Sequence, residues 1–281
     1  MQIIVTGYKG FIGKYIVEML QNAGHKLFLY DIADGVDLTD DTLIHSFPKA
    51  DFCIHLANLS FVPASYNQPH LFYKTNVIST LNMLEYCRLN HAAFIYFSSY
   101  MYGAPDYQPI DEQHPSKAYN PYSQTKLMCE SLCEGYYRDF GVPVTVFRPF
   151  NIYGSGQNPD FLIPTIINQA KNGVISIRDD RPKRDYIHVT DIAGAVVAAV
   201  DKNTGGYQVY NLGSGKSFSV REIIAMVCSA LNIPFDYNCT NEFRQNEVLD
   251  TVSDIRKIKV ELGWEPTISL EEGIRQLVYS L

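Results

Sequence analysis

Met1-Gln2-Ile3-Ile4-Val5-Thr6 runs directly into Gly7-Tyr8-Lys9-Gly10-Phe11-Ile12-Gly13, and this junction decides the fold. The first six residues are a short apolar, β-branched run with no helical period, which reads as a buried strand. From Phe11 to about Asn22 the apolar residues recur at helical spacing. Glycines stand at every third position of the turn between them. The first permits a tight turn, the second lets a pyrophosphate approach the helix N-terminus, and the third allows close helix–sheet packing. A second strand, Leu27-Phe28-Leu29-Tyr30, ends at Asp31, 18 residues after Gly13. A carboxylate there would grip the hydroxyls of an adenosine ribose.

Strands alternate with helical patterns to about residue 200, so the expected fold is α/β, a doubly wound parallel sheet of the Rossmann type. With 281 residues, 46% of them apolar, the chain can bury a sizeable core. It starts as strand at residue 2 with no basic, apolar leader, and Ala193–Val200 is too short to span a membrane. The six cysteines form no C-x-x-C pair; the expectation is a reduced set, cytoplasmic, with no metal site, in which Cys129 and Cys133 pack. A net charge of −7 argues against nucleic acid as a partner.

Chemistry is concentrated in Asn120-Pro121-Tyr122-Ser123-Gln124-Thr125-Lys126. Tyr122 and Lys126 are four apart and share one helix face. An ammonium beside a phenol favours the phenolate, so Lys126 is expected to lower the Tyr122 pKa and make it a usable proton donor and acceptor. A serine pair, Ser98-Ser99, follows the strand Phe94-Ile95-Tyr96-Phe97, 23–24 residues upstream of Tyr122.

Together these residues resemble the extended short-chain dehydrogenase/reductases that act on nucleotide-diphosphate sugars. Gly7, Gly10 and Gly13 resemble the family's G-x-x-G-x-x-G, and Tyr122 with Lys126 its Y-x-x-x-K. His55-Leu56-Ala57-Asn58 is similar to H-L-A-A, with Asn58 a departure. Thr75-Asn76-Val77 with Thr80 through Glu85, Ser98-Ser99-Tyr100-Met101-Tyr102-Gly103 and Arg148-Pro149-Phe150-Asn151-Ile152-Tyr153-Gly154 resemble three further family segments. Arg184-Asp185-Tyr186-Ile187-His188-Val189 matches R-D-Y-I-H-V, and Leu262-Gly263-Trp264-Glu265-Pro266 the terminal L-G-W-x-P.

The resemblance implies NAD as cofactor rather than NADP, held by Gly7, Gly10, Phe11, Ile12, Gly13, Asp31, Asp37, Leu38, Leu56, Ala57, Asn58, Asn76, Tyr122, Lys126 and Phe150. It implies Ser98, with Ser99 the alternate, as the active hydroxyl beside Tyr122 and Lys126. Ser98, Tyr122, Asn151, Arg184 and Arg244 would meet a nucleotide-diphosphate sugar. Ser99 and Tyr100 stand where the family's 4,6-dehydratases carry Asp and Glu, which turns the expectation from dehydration to redox at C4: a 4-keto-6-deoxy-sugar reductase or a 4-epimerase. The implied division is a dinucleotide-binding domain over residues 1–150 and 183–215, and an interleaved nucleotide-sugar domain over 151–182 and 216–281. Helices around residues 67–90 and 121–139 correspond to the family's dimer seam, so a homodimer is expected.

Overall fold

The computed structural model describes residues 1–243 and 247–280; Arg244, expected at the substrate, lies outside the described residues. Six strands form a parallel sheet: β1 (Gln2–Thr6), β2 (Lys26–Tyr30), β3 (Phe52–His55), β4 (Ala93–Phe97), β5 (Val144–Pro149) and, later in the chain, β9 (Tyr207–Leu212). Their spatial order is β2-β1-β3-β4-β5-β9, so the winding direction reverses between β1 and β3. That reversal opens a crevice at the strands' carboxyl ends, where a ligand can enter.

Period-two alternation divides the strand residues between two cores. Ile3, Val5, Ile54, Ile95 and Phe97 face helices α1 (Phe11–Asn22) and α7 (Val189–Lys202). Ile4, Cys53, Phe94 and Tyr96 face α4 (Ser79–Asn90) and α5 (Pro121–Phe140). Cys129 and Cys133 are wholly buried in the second core, as the sequence implied. No helix among the described residues is long and apolar enough to cross a membrane.

The helical stretch around residues 67–90 comprises α2 (Val62–Asn67), α3 (Pro69–Tyr73), a π-helical turn at Lys74–Ile78, and then α4. Helix α5 begins where its sequence says it should: the Asn120 side chain accepts from the Ser123 N–H, Ser123 answers to the Asn120 backbone, and Pro121 occupies the first turn.

A smaller unit is built from β6 (Asn151–Tyr153), β8 (Lys183–His188) and β10 (Ser217–Ser219), with β7 (Ser176–Ile177) paired to β11 (Asn238–Cys239). Helices α6 (Leu162–Lys171), α8 (Val220–Leu231) and α10 (Leu270–Ser280) enclose its core around Ile166, Ile167, Ile223, Ile224 and Ile274. One expected boundary differs. Residues 183–188 were placed with the large sheet, yet β8 pairs with β6 and β10, and the chain rejoins the large unit with α7.

Two carboxylates fasten the small unit and the tail. Asp185 accepts from the backbone N–H of Ser214, Gly215 and Ser253 and from both serine hydroxyls. Asp191 accepts from Thr267 and Ile268, while its carbonyl takes the Trp264 indole N–H at 3.0 Å. The R-D-Y-I-H-V and L-G-W-x-P segments therefore serve architecture through these residues. Short helix α9 (Arg256–Leu262) precedes that tail.

Candidate active site

The glycine turn is a close-fitting cradle. Gly7 sits at φ +72°, and a Cβ there would lie 2.7 Å from the Ala57 nitrogen. On Gly13 a Cβ would meet the Gly7 carbonyl oxygen at 2.5 Å and Tyr8 Cα at 2.7 Å. Gly10 caps α1 with extended backbone and no side-chain cap, so the N–H groups of the first turn, from Phe11 and Ile12 onward, keep free donor capacity. Leu56 and Ala57 wall the turn from the β3 side. Asp31 ends β2, buried, accepting from the Lys9 N–H at 3.1 Å and the Ala33 N–H at 2.9 Å. A carboxylate has acceptor sites beyond these two. An orphaned helix terminus, a loop that only glycine fits and a carboxylate at the next strand end suit a dinucleotide.

Four of the expected cofactor contacts already have partners within the fold. Asn76 is fully buried; its amide clamps the Leu59 backbone at 2.7 and 3.0 Å and donates to Thr125. It shapes the loop after β3 and has no spare hydrogen for a ligand. Phe150 is buried with its ring stacked on Tyr100, centroids 4.9 Å apart. Asp37 spends one oxygen on Thr39, and the Leu38 carbonyl accepts from Asn82.

At the mouth of the crevice α5 brings Tyr122 toward the serines that end β4. Ser99 lies beside the Tyr122 phenol and opposes the rise of its pKa. The Ser98 backbone is pinned to the Phe147 carbonyl, and its hydroxyl is buried without a partner. An unpaired buried hydroxyl is costly unless a ligand completes it.

The expected depression of the Tyr122 pKa is not seen. Burial pushes the phenol up to about 12, with Tyr100 and Tyr119 adding to the rise and Ser99 opposing it. The reason is where Lys126 points. Its Nζ donates to Asn58 Oδ1 and to the Phe97 carbonyl, both at 2.7 Å, and lies 5.8 Å from the Tyr122 ring centre. Lys126 itself is 3% exposed, and burial brings its pKa down to about 8.

On the small-unit side, Tyr100 donates to Asn151 Oδ1 at 3.1 Å, and Asn151 donates to the Asp185 carbonyl. Burial raises the Tyr100 pKa, while the neighbouring Arg184 opposes the rise. Arg184 stands in the expected region, but its guanidinium is already paired with Glu247 and bonded to the Val248 carbonyl at 2.6 Å. A diphosphate would have to share or displace that pair. Tyr100 and Tyr119 were not anticipated as site residues. For Tyr100 the signal was available, since it fills the position of a dehydratase carboxylate.

With this geometry in view, comparison with known proteins is informative. The family model described as NAD dependent epimerase/dehydratase family matches residues 3–213. A UDP-glucose 4-epimerase of Corynebacterium glutamicum is 29% identical over 302 residues, covering 95% of this chain and 91% of that one. A GDP-6-deoxy-D-mannose reductase of Pseudomonas aeruginosa is 29% identical over 292 residues, covering 99% and 96%. The crystal structure of a Thermotoga maritima UDP-glucose 4-epimerase with UDP-glucose superposes with a TM-score of 0.89 at 26% identity, covering 99% and 98%. A cradle only glycine fits, a tyrosine and lysine on one helix face and this breadth of similarity agree: the chain belongs to the NAD-dependent epimerase/dehydratase family.

Proposed function

We propose that the protein carries out NAD(H)-dependent oxidoreduction at C4 of the hexose in a nucleotide-diphosphate sugar, as a 4-ketoreductase of a 4-keto-6-deoxy sugar. One observation carries the reading: where the family's dehydratases carry a carboxylate, this chain has Tyr100, whose hydroxyl donates to Asn151 Oδ1 at 3.1 Å. Water elimination needs a second acid/base pair, whereas carbonyl reduction needs one proton. A phenol held near 12 is in its donor form at neutral pH.

When bound, NAD(H) supplies or takes the hydride at the sugar carbon. The residues of this chain do the rest. Tyr122 gives its proton to the reacting oxygen, the Ser99 hydroxyl steadies that oxygen, and the unpartnered Ser98 hydroxyl is completed by ligand. Asn151 and Tyr100 line the sugar side, and Arg184 faces the diphosphate, where its fork can trade Glu247 for phosphate oxygens. We also propose a homodimer through α4 and α5, whose outer surfaces expose Leu89, Met128 and Phe140.

A retained-cofactor 4-epimerase is the second reading, favoured by Asp31. The two separate by stoichiometry. Reduction consumes NADH one-to-one with product at 340 nm, while epimerisation interconverts two nucleotide sugars with no added cofactor and no net absorbance change.

Cofactor choice has its own test. Asp31 repels a 2′-phosphate, and Lys9, the nearest basic side chain in the turn, is paired with Asp34. NAD(H) is expected to be preferred over NADP(H) by at least about tenfold, and Asp31→Asn to erase most of that preference. Dissociation constants from NADH and NADPH fluorescence titrations check this; a wild-type preference for NADPH contradicts it.

A further inference from the structure

Asn58, the residue that departs from the family's H-L-A-A, reaches the site directly. Its Oδ1 accepts from Lys126 Nζ at 2.7 Å and from the Tyr96 hydroxyl at 3.3 Å. The amide is not free to turn: its Nδ2 donates to the Ala57 carbonyl at 2.8 Å and lies 3.0 Å from His55 Nε2. Turned over, the NH₂ group would face an ammonium, donor against donor.

What fixes the amide is a buried imidazole. His55 is wholly buried, and burial together with the Lys126 charge brings its pKa down to about 3, so it is neutral. Its Nδ1 lies 2.8 Å from Thr6 Oγ1, and Ser79 Oγ lies 3.3 Å from Nε2. With the ring proton on Nδ1 and directed at Thr6, Nε2 accepts from Asn58, which holds the amide NH₂ toward His55 and Oδ1 toward Lys126.

We propose that Asn58 is a positioning residue that keeps Lys126 charged and aimed, with His55 and Thr6 holding the amide in place. The proposal rests on the reading of Tyr122 and Lys126 as the reactive pair. An ammonium this buried needs acceptors, and it has two, Asn58 Oδ1 and the Phe97 carbonyl. The titratable groups around it do not replace Asn58. Tyr122, Cys129, Glu130 and Cys133 share its helix, Tyr96 comes from β4 and His55 from β3. Glu130, the carboxylate in that set, is bound to Arg148 in a buried ion pair at 2.6 Å. With alanine at 58, Lys126 keeps one acceptor and loses its proton more readily.

NADH affinity reads this without a sugar substrate, because a charged Lys126 can donate to the nicotinamide ribose and a neutral one donates more weakly. NADH fluorescence titrations of the full-length protein between pH 6 and 10 are expected to show binding weakening as pH rises through the Lys126 ionisation near 8. The break should fall by about one pH unit in Asn58→Ala, rise in Asn58→Asp, and vanish in Lys126→Met. A break unmoved in Asn58→Ala overturns the proposal; should that variant fail to fold, a break unmoved in Asn58→Asp does so. A Lys126→Met variant that keeps the wild-type break shows the ionisation belongs elsewhere, and then the reading of the reactive pair fails with it. Wild-type affinity independent of pH over this range also overturns it.

Discussion

Tyr122→Phe is expected to lower kcat by about 10³-fold, within the range of 10² to 10⁴ for losing a general acid. The ring would keep its place, since phenylalanine differs from tyrosine by one oxygen. NADH affinity should therefore stay within twofold of wild type, and the melting temperature within a few degrees. The loss should appear equally in kcat and kcat/KM, the mark of an interaction made in the transition state. Ser99→Ala should cost less, because it removes a hydrogen bond and leaves the proton donor. Single-turnover measurements with saturating cofactor check both. A Tyr122→Phe enzyme with more than a tenth of wild-type turnover would remove the phenol from the chemistry.

The second large effect is structural. Gly13→Ala puts a methyl group 2.5 Å from the Gly7 carbonyl oxygen and 2.7 Å from Tyr8 Cα, and both are backbone atoms. No flexible side chain can swing aside, so α1 must retreat from the turn. Overpacking of this kind costs about 1–3 kcal/mol, and the upper end applies where backbone must move. The retreat also spoils the cradle, so NADH affinity should fall by about 100-fold or more. Calorimetry and fluorescence titration report the two quantities separately. A variant with wild-type stability and affinity would mean that the close contact between α1 and the turn is not maintained in solution. Gly35→Ala is a useful contrast: a Cβ there meets nothing within 4 Å, and its strain comes from φ +81° alone.

The large sheet was legible because its signals are local. Gly7, Gly10 and Gly13 announce one turn, the apolar runs announce buried strands, and the period of two sorts Ile3 and Val5 from Ile4. Helix α1 spans Phe11–Asn22, the residues its periodicity marks. Strand β8 was misplaced because pairing partners are chosen by tertiary contacts: Tyr186 and Ile187 suit either sheet, and registry with Asn151 and Ile152 is not written in their own spacing. The π turn around Asn76 was equally silent in the sequence, as was the clamp its side chain makes on the Leu59 backbone 17 residues away.

At the site, spacing told which residues come together better than it told their electrostatics. Four residues on a helix put Tyr122 and Lys126 on one face, but which way the ammonium turns depends on Asn58 and the Phe97 carbonyl. Burial then decides the phenol's pKa, and burial belongs to the assembled fold. Arg184 shows the same limit: its position in R-D-Y-I-H-V was visible, while its pairing with Glu247 was not.

The most direct test of the central reading uses NADH carrying deuterium at the nicotinamide C4 and purified protein, offered nucleotide-linked 4-keto-6-deoxy sugars. Mass spectrometry and NMR of the product locate the label. The account predicts deuterium on C4 of the hexose, one per turnover, with the signal lost in Tyr122→Phe. NADH that binds while neither these sugars nor UDP-glucose undergo any change at C4 would contradict it.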